Sequence, residues 1–384
     1  MLTTTLRDYT PTCSFDGEQK VDRTPNELLD QYGSIIQDKR LSWTSHQQLR
    51  KLLGSGGQGV VFLTDRQGAD DFTLPVALKV FSPERFDTVR SYDEAMSRIA
   101  RVAARVAQIQ QDNLLDVQNF IDRNRIRMME MEWVDGYDLR RLLVPHMLEC
   151  IRERVSRSRW EKLNEVIVTA GPTQPRIKAG VAVAIVRECL AALAALHRED
   201  IVHGDVKPSN IMLKRTGNAK IVDIGSAFEL EDPPPRRTCT PTYAAPEVLE
   251  GDPITPRSDL ASLGYVLIEL LAGQPLFTGW KNYRELLEQK RELPQRLKEL
   301  LPQEVTVNDL LMNFCRGLIA PDPMLRFPDA EAAHLRKGGA AAFLRQLVMS
   351  NLSAEYDNEI RLWIEELKEL EQRNEADSTN ELSI

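Results

Sequence analysis

The sequence carries one short run in which polar side chains of complementary chemistry fall close together. It reads His203-Gly204-Asp205-Val206-Lys207-Pro208-Ser209-Asn210, followed by Ile211-Met212-Leu213 and then by Ile221-Val222-Asp223-Ile224-Gly225. The apolar stretches read as short strands and the polar groups as the turns that flank them. A carboxylate such as Asp205 can accept a proton from a hydroxyl nucleophile, and an ammonium such as Lys207 can neutralise a transferring phosphoryl group. Asn210 and Asp223 offer hard oxygen ligands of the kind Mg²⁺ prefers. Each residue type matches a role in phosphoryl transfer.

Two upstream features point the same way. Gly54-Ser55-Gly56-Gly57-Gln58-Gly59, inside LGSGGQGVVF, spells G-x-G-x-x-G, a pattern shared with dinucleotide-binding turns. A dinucleotide turn opens a helix, whereas here VVFLT continues as strand, so the loop is a hairpin tip. Glycines at such a tip let backbone N–H groups approach phosphate oxygens; the same spelling also serves an ordinary flexible hairpin. Further on, Lys79 is the only charge within PVALKVF. A lysine among Val76, Ala77, Leu78 and Val80 must either snorkel to water or meet an anion, and the glycine hairpin beside it offers nucleotide phosphate.

Holding these groups together takes two kinds of body. Residues 1–46 are polar, with one helical pattern from Pro25 to Lys39 that reads as an extension lying on the main body. From Leu49 to Val80 the runs LRKLLG, VVFLT and PVALKVF predict a small antiparallel sheet. A long helix is expected over 91–110, with Ile99, Val102, Val106 and Ile109 on one face, then strands near 114–120 and 125–134. After Gly136 the pattern is mostly helical, at 138–168, 177–197, 257–273, 283–290, 307–319 and 329–349. The result is an α+β chain of two lobes, β-rich then α-rich, with no internal repeat.

Composition sets limits on function. Hydrophobic residues make up 42% and charged residues 28% of the 384, which excludes a wholly disordered or fibrous chain. A net charge of −8 argues against a protein that lives on nucleic acid or anionic lipid, so any basic site must be local. Cys13, Cys150, Cys189, Cys239 and Cys315 are scattered and never paired as C-x-x-C, which fits a reducing cytoplasm better than a disulfide framework or zinc cage. The start, MLTTTLRDYT, lacks a signal-peptide profile. Residues 179–197 are interrupted by Arg187 and Glu188, and 260–273 are too short, so neither is expected to span a membrane.

Taken in order, the glycine-rich loop, V-A-L-K, a hinge-like Met131-Glu132-Trp133-Val134-Asp135-Gly136, H-G-D-V-K-P-S-N, D-I-G and Ala245-Pro246-Glu247 resemble the signature set of eukaryotic-type (Hanks-type) serine/threonine protein kinases, in the wording of bacterial members. The resemblance runs from about Gln47 to Leu347. It implies a two-lobed kinase fold with a first lobe at 47–134, a second at 135–347 and a tail at 348–384. It also implies ATP and Mg²⁺ as cofactors, with Mn²⁺ as an alternative metal, and Ser/Thr hydroxyls of proteins as acceptors. On that template Asp205 is the catalytic base, Lys207 the serine/threonine form of the loop lysine, and Thr240 the threonine that sets the acceptor. Gly54, Ser55, Gly56, Gly57, Gln58 and Gly59 cover the phosphates, Lys79 holds them, and Asn210 and Asp223 bind the metal. Met131 resembles the gatekeeper, the backbones of Glu132 and Val134 face the adenine edge, and Asp138 meets the ribose. Val61 and Ala77 complete the nucleotide contacts. Glu247 with Arg326, and Asp259 beneath the catalytic loop, resemble the family's buried braces.

The sequence also departs from that family. Gly204 stands where many members carry Arg, so activity is expected not to require phosphorylation of the activation segment, although Thr238, Thr240 and Thr242 lie beside Arg236 and Arg237. The helix acid that pairs with Lys79 has no counterpart: Val102 occupies its expected place. Glu94 lies eight residues earlier, roughly 12 Å along the axis and about 80° round an ideal helix. Either Glu94 serves from a shifted helix or Asp223 and nucleotide orient Lys79 alone. A nucleotide-binding scaffold with little transfer is therefore the alternative, and a small-molecule kinase is a third reading that TPTYAAPE opposes.

Residues 141–176 read as a helical insertion with a mobile end, whose basic half RERVSRSRWEK reads as a solvated helix face or as a contact for an acidic partner. In the tail, Tyr356, Ile360, Trp363, Leu367 and Leu370 form a two-heptad seam suited either to a partner or self-association or to docking on the second lobe, and 374–384 read as disordered.

Overall fold

A computed structural model describes residues 13–15, 26–37, 40–42, 46–68, 70–235, 237–349 and 358–369. The first lobe is an antiparallel sheet in the spatial order Arg40–Ser42, His46–Gly56, Gly59–Gln67, Thr73–Phe81, Ile126–Glu132, Val117–Arg123. The glycine-rich run is indeed a hairpin, with Gly56 opposite Gly59 and Gly57-Gln58 as its turn. Gly59 sits at φ +138, and a Cβ there would fall 2.0 Å from the Val80 carbonyl oxygen, so only glycine lets this turn lie on the neighbouring strand.

One long helix, Val89–Val106, packs on the sheet. Thr88 and Ser91 cap it reciprocally, and Tyr92, Met96, Ile99, Val102, Ala103 and Val106 form its buried face. Its far end is tied to the second lobe by Arg105, whose guanidinium reaches Glu229 at 3.0 Å. The extension helix Asn26–Gln37 lies on the first lobe through Leu28, Tyr32 and Ile35.

The second lobe is built around Ala179–Arg198 and Pro256–Ala272, both mostly apolar, the first largely and the second almost wholly buried. Ala179–Arg198 is long and apolar enough to cross a membrane by length and composition, but its surface is spent inside this lobe. A three-stranded sheet of Gly136–Asp138, Ile211–Lys214 and Ala219–Ile221 carries the polar run.

Several boundaries differ from expectation, each for a local reason. The 138–168 stretch is three helices, Leu139–Leu142, Pro145–Arg154 and Arg157–Val166, because Pro145 starts a new helix and Ser156 caps another by accepting from the Arg159 N–H at 3.2 Å. The turn-rich end of the insertion is not loose: Val168–Ala170 and Pro175–Ile177 pair as a hairpin, and the N–H groups of Thr173 and Gln174 donate to the Gly273 carbonyl. The 283–290 helix continues to Leu300 through Pro294, carried by the burial of Lys290, Leu293 and Leu297. The 329–349 helix breaks into Ala330–Leu335 and Ala340–Met349 around Gly338-Gly339.

The tail helix, 358–369, buries Ile360, Trp363, Ile364 and Leu367 within the chain. The basic half of the insertion meets it. Arg159 reaches Glu366 at 2.6 Å and also Glu359, Lys162 reaches Glu359 at 3.0 Å, and Lys368 donates to Asp135 at 2.6 Å. The acidic partner of that basic half is thus the protein's own tail, and docking is the arrangement seen. Tyr356, Leu370 and 374–384 lie outside the described residues.

Candidate active site

Asp205 sits in the turn after Ile201–Val202, and its carboxylate is almost wholly enclosed. Oδ1 accepts from the Thr240 hydroxyl at 2.7 Å and from the Thr240 N–H at 3.1 Å; Oδ2 lies 2.9 Å from the Lys207 ammonium. Lys207 also donates to Thr240 Oγ1 at 3.0 Å. Asn210 closes the cluster, its amide donating to the Asp205 carbonyl at 2.8 Å. Asp205, Lys207, Thr240 and Asn210 are therefore one network, and the predicted Thr240 contact to both Asp and Lys is present.

The loop is held from below by Asp259. Its Oδ2 accepts from the His203 N–H and its Oδ1 from the Gly204 N–H, each at 2.9 Å, and His197 Nε2 stands 2.9 Å from Oδ2. Burial acts to raise this carboxyl, but His197, His203 and the Gly204 N–H outweigh it and keep it below the usual range. Gly204 itself lies at φ +76, with Ser226 O only 3.0 Å from where a Cβ would stand. Glycine takes this left-handed backbone without the strain a side chain would carry, at the position where many kinases have Arg.

Asp223 follows the strand Ala219–Ile221, which pairs with Ile211–Lys214, so it lies beside Asn210. Its Oδ1 accepts from Lys79 at 2.7 Å and from the Gly225 N–H at 2.8 Å. Burial would raise its pKa, yet Lys79, the Gly225 N–H and Lys207 hold it below the ordinary carboxylate range. An ionised carboxylate beside a primary amide oxygen is a hard donor pair that fits Mg²⁺ or Mn²⁺, with phosphate and water oxygens needed to complete the shell. Among the described residues no cluster of three or more His, Cys, Asp or Glu offers another metal site.

Lys79 is buried at 4% exposure, and its second partner is Gln58 Oε1 at 2.7 Å. Val102, at the expected place of the helix acid, is packed in the core, and Glu94 bonds Arg90 at 2.8 Å on the surface. The shifted-helix alternative for Glu94 is thereby excluded in this arrangement. Asp223 does orient Lys79, but with Gln58 beside it.

The remaining predicted residues fall on neighbouring strands of the first lobe, the hinge and the strand that follows it. Val61 is the cross-strand partner of Lys79, and Ala77 that of Met131. Val134 is buried in the hinge after Ile126–Glu132. The Glu132 N–H is taken by the Asp116 carbonyl at 3.0 Å, so its own carbonyl is the backbone group it can offer a base. Asp138 commits one oxygen to the Arg141 N–H at 3.0 Å, and burial raises its carboxyl. Gly54, Ser55, Gly56, Gly57 and Gly59 form the hairpin above.

Sequence reasoning did not find three participants. Ser226 receives the Gln58 amide at 2.7 Å. Arg85 stacks on Phe86 at 5.0 Å, where burial lowers its pKa and the charge of Asp223 opposes that shift. Lys290 donates to the Thr242 carbonyl at 2.7 Å from beneath the segment TPTYAAPE. For Ser226 a signal existed: a polar glutamine at a hairpin tip with no acid in the helix to serve Lys79.

The protein kinase domain family matches this sequence over residues 47–336. Among curated proteins the chain is 29% identical over 306 residues to the serine/threonine-protein kinase PrkC of Bacillus subtilis, covering 76% of this chain and 40% of that protein. It is 33% identical over 232 residues to PknD of Mycobacterium tuberculosis, covering 59% and 30%. To PknB of Mycobacterium tuberculosis it is 29% identical over 283 residues, covering 71% and 37%. The chain thus spans no more than 40% of the length of these relatives. A family model that matches well over half the sequence, on a fold of β-sheet lobe and helical lobe with Lys79 paired to Asp223 and Lys207 to Asp205, shows that the chain belongs to the protein kinase family.

Proposed function

We propose that the protein is a serine/threonine protein kinase, transferring the γ-phosphoryl group of ATP to Ser or Thr hydroxyls of protein substrates. The observation that carries this reading is the enclosed network of Asp205, Lys207, Thr240 and Asn210. In this reading Asp205 orients an acceptor hydroxyl and takes its proton as the new O–P bond forms and the bond to the ADP leaving group breaks. Lys207 and Lys79 supply positive charge to the phosphates. Asn210 and Asp223 would hold Mg²⁺, which when bound neutralises phosphate charge. The Thr240–Glu247 segment, supported by Lys290 and by the Tyr243 hydroxyl donating to Glu269 at 2.7 Å, suits a peptide acceptor. Cys189 and Cys315 are buried free thiols, in keeping with a reducing cytoplasm.

One observation favours a second reading, a nucleotide-binding scaffold with little transfer: Lys79 receives no acid from the long helix. Incubation of the purified protein with labelled ATP and Mg²⁺, with and without a generic Ser/Thr substrate protein, separates the two. Label in protein that vanishes in Asp205→Asn supports the kinase; bound ATP without transfer supports the scaffold.

A further inference from the structure

A buried ammonium needs partners for its N–H donors, and Lys79 has two at 2.7 Å, Asp223 Oδ1 and Gln58 Oε1. Gln58 comes from the turn of the glycine hairpin and is folded in, 8% exposed. The other end of its amide donates to Ser226 Oγ at 2.7 Å, three residues beyond Asp223. Lysine can only donate, so the amide oxygen must face Lys79 and the NH₂ must face Ser226. Space is made by Gly225: a Cβ there would fall 2.1 Å from Gln58 Oε1 and 2.5 Å from Lys79 Nζ. Three segments therefore meet at one point, and the long helix is not among them.

We propose that Gln58 is the positioning residue for Lys79, a neutral amide that aims the phosphate-binding ammonium and ties the glycine-rich loop to Ser226. The inference rests on the phosphoryl-transfer reading of the same cleft. Lysine has three donors; with Asp223 and Gln58 on two of them, the third is left for a phosphate oxygen. Among the described residues Asp223 supplies the formal negative charge within hydrogen-bonding distance of Lys79, and Gln58 supplies the second acceptor. The aim of Lys79 then depends on the seating of the loop rather than on the position of the long helix.

The test compares Gln58→Ala, Gln58→Glu and Ser226→Ala with the wild-type full chain. Kinetics with ATP and protein substrate, calorimetric Kd for ATP·Mg²⁺, and amide hydrogen exchange of residues 54–59 are the readouts. A hydrogen bond to a charged group predicts a loss of about 10- to 100-fold in kcat for Gln58→Ala. The Kd for ATP should move by less than about threefold, because the other contacts remain. Gln58→Glu should recover most of the rate, since a carboxylate can accept from both Lys79 and the Ser226 hydroxyl. Ser226→Ala and Gln58→Ala should both lose exchange protection at the loop. Unchanged kcat in Gln58→Ala, or a Glu variant no better than the Ala one, overturns the proposal. If the wild type transfers no phosphate, the kinase reading fails on its own; loop protection unaltered by the substitutions overturns the role of Gln58 independently of transfer.

Discussion

Arg326 meets Glu247 as a bidentate pair, Nη1 to Oε1 and Nη2 to Oε2, each at 2.7 Å, with both side chains buried. The remaining valences are also met: Ser258 donates to Glu247 at 2.8 Å, and Arg326 donates to the carbonyls of Ala320 and Arg257. Removing one partner strands the other charge in the interior, which costs about 3–5 kcal/mol. Arg326→Met is expected to lower the unfolding free energy from urea titration by that amount, seen as a lower midpoint at unchanged m-value. Arg326→Lys should recover little, because an ammonium cannot reproduce the fork. A loss under about 1 kcal/mol would mean that the pair does not brace the lobe.

Asp205→Asn should keep the fold and lower turnover by about 10²–10⁴-fold if the carboxylate acts as base. The amide retains one acceptor for Thr240, so folding probes such as circular dichroism should not move. Thr240→Ser, which preserves the hydroxyl, should keep most of the rate, and Thr240→Val should not. Turnover within a few-fold of wild type in Asp205→Asn would point to a different base.

The pairs just described span long sequence separations and were nonetheless legible, because motif order in this family fixes which distant residues meet. Glu247 with Arg326, Asp259 beneath the loop, and Thr240 on Asp205 and Lys207 all fall in that class. Element boundaries were less legible where tertiary packing overrides local signals. The expected helix ends at 290, yet the burial of Leu293 and Leu297 on either side of Pro294 carries it on to Leu300. The basic insertion reads as a solvated face, and only the fold reveals Glu359 and Glu366 opposite it. The Gln58 contact left only an indirect signal, a polar residue at a hairpin tip and a helix without an acid, because a neutral side chain has no spacing signature toward a lysine two strands on.

The tail contributes to stability through Trp363, which is 2% exposed, and through the Arg159 cluster. Truncation after Ser350 should lower Tm, and Trp363→Ala in the full chain should cost about 3–5 kcal/mol through lost burial and the cavity left behind. Because Lys368 binds Asp135 in the hinge, ATP affinity should be measured alongside. A truncated protein with unchanged Tm would show that docking adds nothing to the fold.

Residues 240–243 of the activation segment are held by contacts from the chain's own residues. Thr240 is fixed by Asp205 and Lys207, the Thr242 carbonyl by Lys290, and Tyr243 by Glu269. Gly204 offers no side chain to gather a phosphoryl group. Phosphatase-treated protein, verified by intact mass, is therefore expected to retain its turnover. Abolished turnover that returns on incubation with ATP would show instead that a phosphate is required.

Lys290 lies 4.1 Å from the ring centroids of both Tyr265 and Phe277. Burial drives its pKa well below the ordinary 10.5; Cys239 and Glu247 oppose that shift and Arg326 adds to it. In the unfolded chain the lysine keeps its ordinary value, so between the two values the unfolded state binds the extra proton. Stability from this group is present above 10.5 and is lost as pH falls toward the folded value. A neutral amine can still donate to Thr242, so the contact survives deprotonation. Lys290→Met removes the proton linkage while keeping an apolar chain between the rings. As pH rises toward 10.5, urea midpoints should rise more steeply for the wild type than for Lys290→Met. Parallel curves would mean that Lys290 carries the same charge folded and unfolded across that range.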